Sequence, residues 1–236
     1  MLETKPAYLP NQTVQIDVSS YHAVALTVSG GLDSASLLHM ICSAAQTQHR
    51  DKVLKIYALT IPNRGDVVCG YYASLVIDFM KSQFIGFVEI EHITKNIDQS
   101  GEYKTVVMEE FQKEYAEKKL IDAFFDGVTL NPTSNDFQFV PPAKPYIERM
   151  DHRDYHPDEP KFEKKKAYRI DYCRPLANVD KRYIFQYFKD HGLEEKIQTL
   201  TRSCTSTEKV ICGECWWCAE RTWAFGSHDF FSINFS

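Results

Sequence analysis

Two groups of residues carry chemistry by type and spacing. The first is Ser29-Gly30-Gly31-Leu32-Asp33-Ser34. Adjacent glycines permit turns closed to other residues and let a ligand approach the backbone amides. Where a helix begins at such a turn, its free N–H groups and the positive end of its dipole meet there, which is the chemistry of phosphate binding. No Gly-Lys-Ser/Thr follows, so this is not a Walker A loop. The competing reading is a helix capped by Asp33 or Ser34, with glycines serving only the turn. Capping alone requires just one of these small polar residues.

The second group is Cys204, Cys212, Cys215 and Cys218, spaced C-x7-C-x2-C-x2-C. Four thiolates this close along the chain suit a tetrahedral zinc ion, and Gly213 permits the tight turn that aims amides at sulfur. An all-sulfur shell has no open position for water, so the expected metal is structural and clamps the tail onto the domain. Redox chemistry at Cys212 and Cys215 is the alternative. Cys42, Cys69 and Cys173 lack partner spacing and read as core residues, although Cys173 adjoins Arg174 and so the first site.

These residues need a scaffold that brings them together. The run His22 to Thr27 reads as a buried parallel strand, and residues 36–45 as a helix with an apolar face. Val53–Ile61, Gly86–His92 and Ile121–Thr129 read as three further strands. Helices are expected around Tyr72, Leu75, Val76 and Phe79, and over 102–119 with Val107, Phe111 and Tyr115 inward. Strands alternating with helices predict an α/β fold, a doubly wound parallel sheet with helices on both faces. Ligands in such sheets sit beyond the carboxyl ends of the strands, where the strand order reverses. That adds Thr60 and Gly127, near the ends of the second and fourth strands, to the candidate site, together with the loop at Asn63 and Arg64.

Residues 131–167 break the pattern, with many prolines, an Asp151-His152-Arg153-Asp154-Tyr155-His156 run and the lysine-rich 161–166. A solvated insertion explains them; a metal site at the Asp/His run and a phosphate or RNA contact at the lysines are the sharper alternatives. After it, Arg174-Pro175-Leu176 is expected to be held extended by its proline. Asp180 then caps a helix that ends at Gly192 and buries Ile184, Phe185 and Phe188. Lys181 falls on the first turn of that helix, where the dipole disfavours a cation unless an anion faces it. Residues 1–20 read as an arm lying on the domain.

The 236 residues suffice for one large domain with a small appendage, divided as 1–203 and 204–236. A net charge of −5 argues against a broad nucleic-acid grip, leaving only the 131–167 insertion as a local candidate. No apolar run is long enough to span a bilayer and no signal-peptide pattern opens the chain. Seven cysteines, four of them clustered, predict a reducing compartment, hence the cytoplasm.

The Ser-Gly-Gly-x-Asp-Ser loop resembles that of the PP-loop ATP pyrophosphatases, whose sheet is of the adenine nucleotide α-hydrolase type. With Arg174-Pro175-Leu176 followed by Lys181, and with the cysteine knuckle, the chain looks like the 7-cyano-7-deazaguanine synthases of queuosine and 7-deazapurine biosynthesis. The likeness covers residues 22–62 and 168–225. It implies ATP and magnesium as cofactors and structural zinc on the four cysteines. It places Ser29, Gly30, Gly31, Asp33, Ser34 and Lys181 on the nucleotide, with Arg174 near its phosphates; Leu32, Thr60 and Gly127 complete the candidate nucleotide site, and Asp33, Ser34 and Lys181 are the catalytic candidates. It also implies a carboxylated 7-deazaguanine and ammonia as substrates, and a homodimer. The chain departs from the family where Ile61-Pro62-Asn63 replaces Tyr-Gly-Gln, and where the residues after Gly127 lack Gly-x-Asn-x-x-Asp. Those residues surround the deazapurine in the family. A PP-loop enzyme modifying or thiolating a nucleobase is therefore a rival reading, as are a defence-system homologue, a sulfonucleotide reductase and a non-catalytic zinc-binding module.

Overall fold

The continuous apolar run after His22 forms β1 (Ala23–Thr27), which turns at the glycines directly into α1 (Leu32–Gln48). In the computed structural model, which describes residues 14–49, 52–62, 67–97, 103–132, 162–165, 168–206 and 211–226, the same strand–helix alternation continues. There follow β2 (Leu54–Thr60), α2 (Val67–Gln83), β3 (Val88–Thr94), α3 (Lys104–Glu117) and β4 (Ala123–Phe125). Then come β5 (Phe162–Lys165), β6 (Ile170–Cys173), α4 (Lys181–Asp190), α5 (Glu194–Leu200) and α6 (Trp216–Phe225).

The sheet runs β3-β2-β1-β4-β6-β5, and every pairing is parallel except that of β5 with β6. β1 lies between β2 and β4, with Val24 opposite Ile56 on one side and Ala123 on the other. The strand order reverses at this point, so the crevice lies beyond Thr27, at the glycine turn.

Period-two alternation divides the strand residues between two cores. Val24, Leu26, Ile56, Ala58, Ala123 and Phe125 pack with apolar residues of α1, α2, α4 and α6. Ala25, Tyr57, Leu59 and Phe124 face Val107, Phe111 and Ala116 of α3. Helices therefore cover both faces, as the doubly wound reading requires. On α2 the buried stripe is Tyr72, Ala73, Val76, Ile77 and Met80, while Leu75 and Phe79 are half-buried. β3 is an edge strand, which is why its glutamates alternate with Ile90.

Three expectations are corrected. β4 is only three residues long: past Phe125 the first turn of α1 occupies the space beside it, and the chain leaves β1 to follow β6, with Asp126 N donating to Cys173 O at 2.8 Å. Arg174-Pro175-Leu176 is not extended. Ala177 N donates to Arg174 O at 3.2 Å, closing a turn in which Pro175 holds the second position, where its fixed φ fits. The lysine-rich stretch of the insertion contains β5, an antiparallel edge strand.

Ile16 and Val18 of the N-terminal arm are buried, and Gln48 Nε2 donates to Ile16 O at 2.8 Å. The arm before Val14, Asn63-Arg64, the Asp151–His156 run and the rest of 133–161 lie outside the described residues. Among the described residues no helix is long and apolar enough to cross a membrane.

Candidate active site

The turn after β1 is built from behind. Val28 N donates to Leu59 O at 2.8 Å, and the Thr60 hydroxyl donates to Val28 O at 2.8 Å. Gly30 has φ +76°, and a Cβ there would lie 2.6 Å from Tyr72 Cβ and 2.7 Å from Ala73 N. The fold itself thus demands glycine at this position. Gly31 differs: its φ of −87° suits any residue, and an added Cβ would meet only Ser29 Oγ at 3.4 Å and Arg202 O at 3.7 Å. No packing requires glycine here, and the position opens on the cleft.

Neither residue of the capping alternative caps α1. Gly31 is the N-cap, without a side-chain bond, so Asp33 and Ser34 sit inside the first turn. Ser34 Oγ donates to Gly31 O at 3.1 Å and accepts from Ser29 N at 3.2 Å, which closes the loop on itself. Asp33 remains free to face α4.

Asp180 caps α4 by accepting from Arg182 N at 2.8 Å, and this seats Lys181 at the first helical position. Lys181 Nζ lies 2.8 Å from Asp33 Oδ2 and 2.8 Å from Glu220 Oε2 on α6. The lysine and Glu220 are almost fully buried. Burial alone would lower the ammonium's pKa, but the two carboxylates overcome that and raise it to about 12. One cation between two anions leaves an excess negative charge. Asp33 Oδ1 is buried and has no hydrogen-bond partner. An orphan carboxylate oxygen beside excess negative charge fits a hard divalent cation better than a bare phosphate.

The cleft in front of this network has a volume of about 510 Å³ and is lined by Ser29, Gly31, Leu32, Asp33 and Lys181 among others. Gly30 and Ser34 stand behind them. The other sequence candidates do not line it. Thr60 is buried, its hydroxyl also within 2.8 Å of His92 Nε2, so it braces the loop from the rear. Gly127 lies against α1, where a Cβ would be 3.4 Å from Asp33 O. Arg174 Nε is 3.9 Å from Asp126 Oδ2.

Three residues at the site were missed by sequence reasoning. Glu220 is one, and a charged pair Glu220-Arg221 inside the aromatic run 216–225 was its available signal, since buried charges need partners. Arg202 is another: it lines the cleft, and its N–H donates to Gly30 O at 2.9 Å. Cys69, expected in the core, is half-exposed at the cleft and donates through sulfur to Ser29 O at 3.2 Å. Cys42 and Cys173 are buried as expected.

The sulfur atoms of Cys204, Cys212, Cys215 and Cys218 all lie within 4.8 Å of one another. Amides of Ser206 and Cys212 donate to Cys204 Sγ at 3.4 Å, and Cys215 N donates to Cys212 Sγ at 3.3 Å. Gly213 takes φ +70° in the turn between them. Convergent thiols with amide donors to sulfur form a donor set that fits a soft tetrahedral ion. Cys204 borders the cleft as well, so the knuckle forms part of its wall.

No protein-family profile and no curated protein matches the chain. Among solved structures it is similar to the U34-tRNA thiolase NcsA from Methanococcus maripaludis with its [4Fe-4S] cluster, at 12% identity over 91% of this chain and 74% of that one, TM-score 0.46. It is also similar to the NMN synthetase from Francisella tularensis, at 15% identity over 90% of this chain and 81% of that one, TM-score 0.42. Likeness at these scores brings no chemistry to this chain.

Proposed function

We propose that the chain is an ATP-dependent adenylating enzyme that binds the triphosphate at the N-terminus of α1. The observation that carries this reading is Gly31, a glycine that neither backbone nor packing requires, at the mouth of an uncapped helix. Its missing side chain leaves room for a phosphate against the amides. Lys181 has three donors, of which two serve Asp33 and Glu220, so one is left for a phosphate oxygen. Asp33 Oδ1 would hold magnesium, whose charge offsets that of the departing pyrophosphate. Zinc on the four cysteines would serve structure.

For the substrate we propose a carboxylated 7-deazaguanine with ammonia. A carboxylate oxygen attacks the α phosphorus, the α–β bond breaks, and pyrophosphate leaves into the glycine turn. Ammonia adds to the acyl carbon, and AMP departs with the carboxylate oxygen, leaving an amide. A second ATP adenylates the amide oxygen with release of a second pyrophosphate, and loss of that oxygen as AMP, with release of protons, gives the nitrile. The site's contribution is orientation and stabilisation of the leaving charge.

Pyrophosphate release from ATP, 7-carboxy-7-deazaguanine and ammonium tests both levels. Release that needs all three supports the full reading. Release that needs RNA or another acceptor overturns the substrate and keeps the chemistry. No release with any acceptor, and no ATP binding, overturns the enzyme.

A further inference from the structure

Lys181 is placed where two effects oppose a cation: burial and the positive end of α4. Asp33 alone could neutralise it. The structure nevertheless supplies a second carboxylate, Glu220, from a helix that starts inside the cysteine cluster, with Cys215 as its N-cap and Cys218 in its first turn. That helix is held firmly. Arg221, fully buried, donates to Thr201 O at 3.4 Å, Ser203 Oγ at 3.3 Å and Gln198 O at 3.1 Å, and the adjoining Arg202 is bonded to the glycine turn.

The geometry points to Glu220 as a positioning residue: it holds the Lys181 ammonium off Asp33 Oδ1, so that this oxygen stays available to a divalent cation. A lysine with a single carboxylate partner is free to move from one of its oxygens to the other. Glu220, with Oε2 also 2.8 Å from Nζ, confines the ammonium to Asp33 Oδ2. The observed outcome is an Asp33 with one oxygen paired and the other orphaned in a buried setting. Such an orphan is costly unless something binds it. Glu220 therefore touches neither phosphate nor cation and acts through Lys181. Because α6 begins at the four cysteines, their metal would fix the distance from which Glu220 acts.

This inference rests on magnesium and ATP binding at the cleft, and its test separates the two. The full chain, loaded with its metal, is compared with Glu220→Gln and Glu220→Asp for MgATP affinity and for the magnesium concentration giving half-maximal nucleotide binding. Metal content and thermal midpoint are recorded alongside. In E220Q, Lys181 still has Asp33, so metal content should hold while the magnesium requirement rises at least about tenfold. E220D, which keeps the charge but draws it back, should need roughly threefold more. A wild-type magnesium requirement in E220Q overturns the inference and leaves the proposed function standing. So does a weakening that merely tracks lost metal. Should E220Q not fold, E220D with the wild-type requirement overturns it equally. A wild-type chain that binds no MgATP removes the functional reading, and this inference with it.

Discussion

α1 and α4 pack side by side, and the two ends of their contact bury titratable groups of opposite fate. At the cleft end Lys181 is kept charged by Asp33 and Glu220. About one and two-thirds turns along α1, His39 is equally buried, but it packs against rings: Tyr187 OH shares a 2.6 Å hydrogen bond with Nδ1, and the rings of Phe84, Phe188 and His191 lie around it. Burial, with His191 adding to it, lowers the His39 pKa to about 4. One end holds an ion with carboxylates while the other excludes one with aromatic rings. Burial does not distinguish site from scaffold here. An unmet need does, because Asp33 Oδ1 has no partner while His39 Nδ1 is satisfied.

The largest expected effect breaks the charged end alone. Asp33→Asn leaves Lys181 paired with Glu220, so metal content and fold should persist. It removes the carboxylate proposed for the cation, and pyrophosphate release should fall by about 10²–10³-fold. Tyr187→Phe at the neutral end should leave that rate within roughly twofold and cost about 1 kcal/mol of stability. If D33N loses its metal, or Y187F loses activity in step, the two ends are one structural unit and the contrast fails.

The glycines sharpen the same distinction within two adjacent residues. Gly30→Ala places a Cβ under 3 Å from the backbone of α2, at a left-handed φ, and should destabilise by more than about 2 kcal/mol in denaturant unfolding. Gly31→Ala meets nothing tighter than 3.4 Å and should unfold within about 0.5 kcal/mol of the wild type. Its methyl would occupy the space proposed for phosphate, so MgATP should bind at least roughly tenfold more weakly. A G31A chain that binds nucleotide normally would remove the phosphate from this turn.

What could be read in the sequence divides along physical lines. Continuous apolar runs located β1 and β2, alternation located β3, and period-3.6 patterns located α1 to α4, because local burial dictates those residues one by one. The Asp180 cap and the Gly192 stop, at φ +64°, are local as well. Convergence of the four cysteines followed from their spacing. The Lys181–Glu220 pair did not, because 39 positions separate its members and only packing of α6 on α4 joins them. Thr60 was assigned to the nucleotide from its position at a strand end, and nothing in the sequence told that its hydroxyl turns back to Val28. Nor could Arg174-Pro175-Leu176 announce a turn, since proline suits both a turn's second position and extended chain.

The contrast between the two ends also predicts opposite responses to pH. His39 has a folded pKa of about 4, below the ordinary 6.5. Between those values the unfolded chain binds the extra proton, so this group's contribution is fully present above pH 6.5 and is lost as pH falls toward 4. The loss is about 3 kcal/mol at most. Lys181 is raised from 10.5 to about 12, so its contribution is complete below 10.5 and is lost only as pH rises through 12. Denaturant unfolding of the wild type and His39→Gln from pH 7.5 down to pH 4.5 isolates the first effect, since carboxylates titrate alike in both chains. The wild type should lose roughly 1–3 kcal/mol more than H39Q over that interval, while H39Q keeps wild-type MgATP affinity at pH 7.5. Parallel curves would mean that His39 accepts a proton in place, and that the neutral end of the interface is as tolerant of charge as the end that faces the cleft.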